Sequence, residues 1–273
     1  MTLCGNLLII GLFLQSQRLR SPMYFFLSNL SLCDILLSRS VVPILLCALL
    51  NDGEKMSLVA CMAQASASGF FTAAECNILT LMSYDRCLAV CNPLHYINIM
   101  NYRFCFQLVT CFWFMSLLYT LIFIAEMSFL EFCRCNIIDY IYCEVAPLFE
   151  ISCKDSTILQ ITTTVTSIPA VVSPFFFIIV TYVIIFITIL RISSNIERKK
   201  SFSTCSSHLT VVCTYYGILI AKYTIPSKGR SLNMNKAMSL LYTVVTPLIN
   251  PIIYSFRNKE IRETVAKISY MKR

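Results

Sequence analysis

The sequence predicts an all-α membrane protein, folded as a bundle of seven transmembrane helices. Two properties of the whole chain favour this class: 57% of the 273 residues are hydrophobic while only 13% are charged, and the mean hydropathy is +0.71. A soluble domain carries about 25% charged residues, so this composition belongs in a bilayer. The third observation is a pattern of seven apolar stretches, separated by polar, charged or proline-bearing segments.

The seven stretches define the predicted spans of a single domain, residues 1–273. They cover approximately residues 2–14, 23–50, 58–91, 104–124, 159–190, 204–226 and 236–256. A helix needs roughly 20 apolar residues to cross the hydrocarbon core, and six stretches are near or above that length. The first makes only about 20 Å of helix, which is too short to cross alone. We therefore expect a truncated first helix, whose outer half and preceding tail are missing.

Basic residues indicate how the spans are oriented. One set of segments holds most of the 22 Lys and Arg residues and few of the 14 acidic residues. These segments are 15–21, the end of the third span, 92–103, 191–201 and the tail after 256. Lys and Arg that flank spans remain on the cytoplasmic side. The carboxyl terminus is therefore predicted to be cytoplasmic and the amino terminus extracellular. The net charge of +8 fits this arrangement, and we expect contact with membrane lipid and no nucleic-acid partner.

The tail predicts one further helix, over approximately residues 257–270. Ile261, Val265 and Ile268 recur there at helical spacing between charged residues. This pattern is typical of a short amphipathic helix that lies on the cytoplasmic membrane surface.

The 15 cysteines divide into two groups by their surroundings. Most lie inside apolar stretches, where a free thiol behaves as a small hydrophobic side chain. Five lie in polar connections on the predicted outer side: Cys61, Cys133, Cys135, Cys143 and Cys153. Disulfides are chemically plausible in that oxidising compartment, and the residues alone leave their pairing open. Two histidines and the lack of matched CxxC pairs argue against a metalloenzyme.

Asp85 and Arg86 form a charge pair at the inner end of the third span. Charges at a membrane boundary are costly, so the arginine is held by the carboxylate beside it. Breaking the pair frees a fixed cation for another partner, which is the behaviour of a switch.

Asp34 and Glu75 are carboxyl groups within apolar helices. An unpaired charge there costs several kcal/mol, so each is either protonated and hydrogen-bonded, to Asn6 or Asn250, or part of a functional site.

Two cations also interrupt the apolar stretches. Arg39 follows Asp34 by five residues and either pairs with it or marks a damaged sequence. Lys222, near the outer end of the sixth span, either extends to the interface or provides a cation for a ligand.

One face of the third span carries Ser68, Thr72, Glu75 and Arg86. Ser68 and Arg86 are separated by five helical turns, a rise of about 27 Å, so this face connects an outer polar cluster with the inner charge pair. Small polar side chains on such a face serve either helix packing or ligand binding.

Residues 82–96, MSYDRCLAVCNPLHY, resemble the inner end of the third helix of rhodopsin-like G-protein-coupled receptors, and specifically of their olfactory branch. Single residues that match hallmarks of the class occur in the other spans: Gly5, Asn6, Asp34, Trp113, Pro174, Tyr182, Asn250, Pro251 and Tyr254. Three longer segments resemble olfactory receptors, namely residues 19–34, 201–209 and 246–259. Two residues depart from the family pattern, because Cys87 replaces a tyrosine and Arg20 a histidine.

The resemblance implies an odorant receptor of the plasma membrane. It would bind a small, mostly apolar volatile in the outer half of the bundle. The positions that would line the site are Ser68, Gly69, Thr72, Ala73, Thr166, Ser167, Ala170, Tyr216, Leu219, Ile220, Tyr223, Leu240 and Thr243. Ser68 occupies the position that is acidic in amine receptors, which disfavours a protonated amine as the ligand.

The resemblance also implies coupling to a stimulatory, olfactory-type heterotrimeric G protein. The residues for activation would be Asp85, Arg86, Tyr182, Asn250, Pro251 and Tyr254. A basic collar, Arg191 with Arg198, Lys199 and Lys200, either enforces topology against anionic lipid or frames the G-protein crevice. No cofactor is implied apart from an allosteric sodium ion at Asp34 and Glu75. The implied disulfides are Cys61–Cys143 and Cys133–Cys153.

Three other interpretations of the residues stay open. A transporter or channel would need polar faces on several spans, and an intramembrane enzyme would need a nucleophile and a base inside the bilayer; neither pattern is evident. The chain could also be a truncated receptor fragment that does not function.

Overall fold

The structure is a computed structural model, and it describes residues 1–51, 55–132, 138, 140, 142–153, 156–224, 232–257 and 261–266. A few side chains inside these ranges, including those of Lys222 and Tyr223, are outside the description. The helices are α1 (Thr2–Gln15), α2 (Pro22–Leu50), α3 (Leu58–Cys91), α4 (Pro93–Ile99), α5 (Tyr102–Met127), α6 (Val145–Glu150), α7 (Thr157–Arg191), α8 (Asn195–Thr224), α9 (Leu232–Leu240) and α10 (Thr246–Arg257). A π-helical segment, Leu241–Val245, joins α9 to α10. The described chain is almost entirely helical, as the sequence predicts.

Local sequence determines where several helices begin. The Ser57 hydroxyl accepts a hydrogen bond from the backbone N–H of Ala60, and the Asn101 side chain accepts one from the N–H of Phe104. Both bonds satisfy an N–H group that has no partner within its own helix. Pro22 and Pro93 occupy the first position of α2 and α4, where a missing N–H costs nothing.

Helix α3 lies at the centre of the bundle and packs against α2, α5, α7 and α8. In the described part of the chain, five helical segments are long and apolar enough to cross a membrane, and α3 is not one of them. These segments are Pro22–Leu50, Tyr102–Met127, Thr157–Arg191, Asn195–Ala221 and Lys236–Tyr254. Helix α3 is excluded by its polar side chains, among them Gln64, Asn77 and Asp85, which are buried within the bundle. Helix α7 shows the opposite pattern, because Phe176 and Phe186 face outward as side chains exposed to lipid would.

The short helix α1 packs closely against α10. A methyl group on Gly5 would lie only 3.0 Å from Cβ of Pro251, so the two helices approach as near as a residue without a side chain allows. The buried Asn6 side chain donates a hydrogen bond of 3.1 Å to the carbonyl oxygen of Pro247. Two neighbouring residues therefore attach α1 to the seventh predicted span.

Two features differ from the sequence prediction. The segment 191–201 is mostly helical, because α8 begins at Asn195 and only residues 192–194 separate it from α7. The seventh span contains the π-helical segment, which periodicity did not predict. In the tail, residues 261–266 are helical and bury Ile261 and Thr264, whereas Val265 is exposed. Ile268, the third residue of the apolar face expected from Ile261, Val265 and Ile268, lies outside the described residues.

Candidate functional site

The positions expected to line a ligand site differ widely in burial. Ala73, Ala170, Tyr216, Leu219 and Thr243 are buried; Ser68, Thr72, Thr166 and Leu240 are half-buried; Gly69, Ser167 and Ile220 are exposed. The side chain of Tyr223 lies outside the described residues. Gly69 is informative, because it is exposed on the central helix and a methyl group there would meet nothing within 4 Å. Open space therefore lies next to α3 at Gly69.

The hydroxyl groups of this set mostly bind their own helices. Ser68 donates to the carbonyl oxygen of Ala65 at 2.9 Å, and Ser167 donates to that of Thr164 at 2.9 Å. The Tyr216 ring packs against Phe175 of α7 with ring centroids 4.8 Å apart, and its hydroxyl has no partner in the described part of the chain. Thr72 connects the set to a polar network inside the bundle, and Thr166 contacts the carboxylate of Glu126.

Two buried tyrosines that the sequence prediction omitted form that network. The Tyr242 hydroxyl donates to Oγ1 of Thr72 at 2.7 Å, and Oε2 of Glu75 lies 3.5 Å from the same hydroxyl. Tyr215 donates to the backbone oxygen of Thr72 at 3.2 Å and lies 3.4 Å from Sγ of Cys76. A tyrosine has one hydroxyl proton, so the shorter bond to Thr72 takes precedence over the contact with Glu75.

Below the tyrosines, the carboxyl groups of Asp34 and Glu75 interact within the core. The Asn250 side chain lies 3.1 Å from each carboxylate oxygen of Asp34 as the hydrogen-bond donor. The sequence left Asn6 and Asn250 open as hydrogen-bond partners of the buried acids. Asn250 is the partner of Asp34, whereas Asn6 donates to the carbonyl oxygen of Pro247. The Oε1 atom of Glu75 is buried without a hydrogen-bond partner in the described part of the chain.

Arg39 does not pair with Asp34. Its side chain is exposed on α2, whereas the carboxylate of Asp34 is fully buried and bound by Asn250. Arg39 is 17 positions from the inner end of α2, about 26 Å along the axis, so its guanidinium can reach the outer membrane interface.

At the inner end of α3, Asp85 holds Arg86. The Nε atom of Arg86 donates to Oδ2 of Asp85 at 2.9 Å, and its Nη2 atom donates to the same oxygen. The hydroxyl of Tyr96 on α4 donates to Oδ1 of Asp85 at 2.7 Å. Burial and the adjacent Asp85 carboxylate raise the pKa of Tyr96 above its ordinary value, so the phenol remains a donor.

Tyr182 contacts a residue that the sequence prediction did not include in the site. Its hydroxyl lies 2.7 Å from Nδ1 of the buried His208, and the two rings are stacked with centroids 5.8 Å apart. The Nε2 atom of His208 has no partner in the described region. The signal was present, since a histidine in an apolar span needs a polar partner when it is buried. Tyr254 is also fully buried, and its hydroxyl is without a described partner.

The outer connection between α5 and α7 is attached to the bundle. A disulfide joins Cys61 and Cys143, as the resemblance implies. Gln64 accepts a hydrogen bond from the N–H of Cys143 at 3.0 Å and donates to the carbonyl oxygen of Ser40 at 2.8 Å. Cys153 is disulfide-bonded, and its expected partner, Cys133, lies outside the described residues.

Part of the basic collar closes the inner end of α7. Arg198 donates to the carbonyl oxygens of Leu190 and Ile192, at 3.3 and 3.0 Å. These bonds satisfy carbonyl groups at a helix end, where a positive charge is also favourable.

Known proteins resemble this chain in both sequence and fold. A family model described as "Olfactory receptor" matches residues 1–272. Human olfactory receptor 11L1 is 42% identical over 268 residues, which are 98% of this chain and 83% of that protein. Mouse olfactory receptor 5P53 is 41% identical over 266 residues, which are 97% of this chain and 86% of that protein.

The fold has a counterpart among solved structures. Squid rhodopsin matches with a TM-score of 0.76 at 17% identity, over 97% of this chain and 80% of that chain. The chain therefore belongs to the olfactory receptor family, shares its fold with rhodopsin, and is a multi-pass membrane receptor rather than an enzyme.

Proposed function

We propose that the receptor binds a small, mostly apolar volatile in the outer half of the bundle and activates a stimulatory heterotrimeric G protein. One observation carries the proposal: polar contacts continue from Thr72, beside the open space at Gly69, through Tyr242 and Glu75 to Asp34 and Asn250. These contacts connect α3, the π-helical segment, α2 and α10. The candidate binding region is therefore linked physically to the helices whose inner ends would meet the G protein.

The wall around Thr72 suits an apolar ligand with one polar group. Ala73, Leu219 and the ring of Tyr216 supply apolar surface, while Thr72 and Tyr216 supply hydroxyl groups. Such a combination gives affinity through burial and orientation through a few polar contacts. An agonist shifts the receptor only by its difference in affinity for the inactive and active arrangements.

The inner end supplies the other half of the mechanism. Asp85 holds Arg86, while Tyr182 is bound to His208 of α8. If α8 moves outward, the stacked pair of Tyr182 and His208 separates, and Arg86 becomes accessible in the opened crevice. A released arginine then offers hydrogen-bond donors to the carboxyl-terminal helix of a G protein.

The residues present also fit a sodium ion. Hard cations take oxygen ligands, and the carboxyl group of Glu75, whose Oε1 has no hydrogen-bond partner in the described region, interacts with that of Asp34. These two carboxylates would hold the ion, and its charge would stabilise two acids that are otherwise buried without a cation in the described part of the chain.

Substitution of Arg86 tests the coupling. Arg86→Ala is expected to abolish agonist-dependent nucleotide exchange on a stimulatory G protein while leaving ligand binding intact, because the residue lies far from the outer site. Arg103→Ala, which removes an exposed cation from the same side of the membrane, is the matched control and should retain exchange. Exchange that survives Arg86→Ala at an equal level of surface display would contradict the proposed mechanism.

A further inference from the structure

Glu126 is a buried carboxylate that the proposed site does not yet use. It lies in the last turn of α5 with only 8% of its surface exposed. A negative charge at the carboxyl end of a helix opposes the helix dipole, and burial removes its hydration. Both effects are unfavourable, so the residue needs a compensating partner.

The described partner of Glu126 compensates only partly. Oγ1 of Thr166 lies 3.0 and 3.3 Å from the two carboxylate oxygens, but also 3.0 and 3.1 Å from the backbone oxygens of Thr162 and Thr163. One hydroxyl has one proton, which these four acceptors share. No salt bridge joins Glu126 to a cation among the described residues. The carboxylate therefore retains capacity to accept a hydrogen bond.

A cleft near Thr166 provides space for a hydrogen-bond donor of a ligand. A cleft of about 230 Å³ opens between the turn after α5 and the first turns of α7, with Leu130, Ser152 and Thr162 in its lining. Thr162 lies one helical turn from Thr166, whose side chain is only half-buried. This volume is smaller than pockets for drug-sized molecules and suits a compound of few atoms.

We propose that Glu126 accepts a hydrogen bond from the ligand, so that the receptor prefers small apolar compounds with a hydrogen-bond donor. The preferred classes are alcohols and primary amines, and compounds that only accept hydrogen bonds, such as ethers, bind less well. The proposal rests on the proposed function, since Thr166 belongs to the same binding region. The carboxylate on α5 also provides the acidic contact that Ser68 on α3 lacks.

Matched ligand pairs test this inference. Linear primary alcohols and amines are compared with methyl ethers of the same carbon chains, with G-protein activation as the readout and surface labelling as the measure of display. Glu126→Gln keeps the shape and removes the charge, so potency of the alcohols and amines should fall about tenfold or more. The ethers should change little. Glu131→Gln removes an exposed acid five residues away and should alter neither series.

Thr166→Val provides a second variant that leaves the carboxylate in place. It removes the internal donor, so the preference for alcohols over ethers should persist or increase. Equal losses on both series in Glu126→Gln would indicate a structural role and overturn the inference, as would a wild-type receptor that prefers ethers. In either case the proposed function stands. A displayed wild-type receptor that none of the compounds activates would contradict the proposed function, and the inference with it.

Discussion

At the scale of single residues, Glu75 has one carboxylate oxygen 3.5 Å from the Tyr242 hydroxyl and one with no partner in the described region. A partnerless buried oxygen costs about 1–3 kcal/mol or more when it is charged. Because Asp34 lies beside it, either a proton or a small cation would relieve this cost. The two cases predict different responses to the salt in the medium.

Glu75→Gln separates these cases. If sodium binds here and stabilises the inactive arrangement, replacing sodium with choline should raise agonist potency in the wild type. Glu75→Gln should remove that dependence, because the variant lacks one of the two carboxylates. The measurement is a dose–response curve for G-protein activation in matched sodium and choline media. Glu144→Gln, at another buried acid, is the control; a wild-type curve that is identical in both media would rule out the sodium site.

At the scale of elements, α1 depends on its contact with α10. Gly5→Val is expected to lower stability by about 2 kcal/mol, because its side chain would meet the rigid Pro251 ring, 3.0 Å from the new Cβ. Thermal unfolding of the detergent-solubilised receptor measures the effect. Gly11→Val is the matched control, since nothing lies within 4 Å of that position on the same helix. Equal unfolding temperatures for the two variants would show that the α1–α10 contact contributes little.

The helices themselves could be predicted well from sequence, and some of their details could not. Apolar stretches and proline breaks reproduce α2 and α3 to within one residue. The start of α8 was missed because residues 195–203 are polar, and hydropathy detects the membrane core rather than the helix that extends beyond it. The π-helical segment was missed because its hydrogen-bond pattern depends on packing against neighbouring helices.

The candidate site shows a similar division. The charge pair and the acids Asp34 and Glu75 could be identified from their cost in an apolar span. Tyr215 and Tyr242 were missed because tyrosines are unremarkable in sequence until their partners are known. His208 was missed although a histidine in an apolar span indicates a polar partner. Glu126 was missed because it follows an apolar stretch, where acids are common at the membrane surface, and only its burial against α7 distinguishes it.

At the scale of the whole molecule, Tyr242 links the outer region to the core. Tyr242→Phe removes the hydrogen bond to Thr72 and the weaker polar contact with Glu75, which hold α3 against the seventh span while Asp85 retains Arg86. If these contacts stabilise the inactive arrangement by about 1 kcal/mol, basal activity should rise about fivefold.

Nucleotide exchange without ligand measures this change. Tyr119→Phe on α5 is a suitable control, because no hydrogen bond of its hydroxyl is found among the described residues and its basal rate should stay that of the wild type. A basal rate for Tyr242→Phe equal to that of the control would mean that the tyrosine contributes packing alone.

The π-helical segment sets the alignment of the seventh span. In an unbroken α-helix, Tyr242 and Asn250 would be rotated about 80° apart around the axis, because each residue turns by about 100°. In the wider π-helical turns of Leu241–Val245, each residue rotates the chain by less than it does in an α-helix. The two side chains therefore lie closer to one face, where Tyr242 meets Glu75 and Asn250 meets Asp34. Loss of one residue from this segment would therefore rotate α9 by roughly a quarter-turn relative to α10, and Tyr242 and Asn250 would no longer share one face of the span.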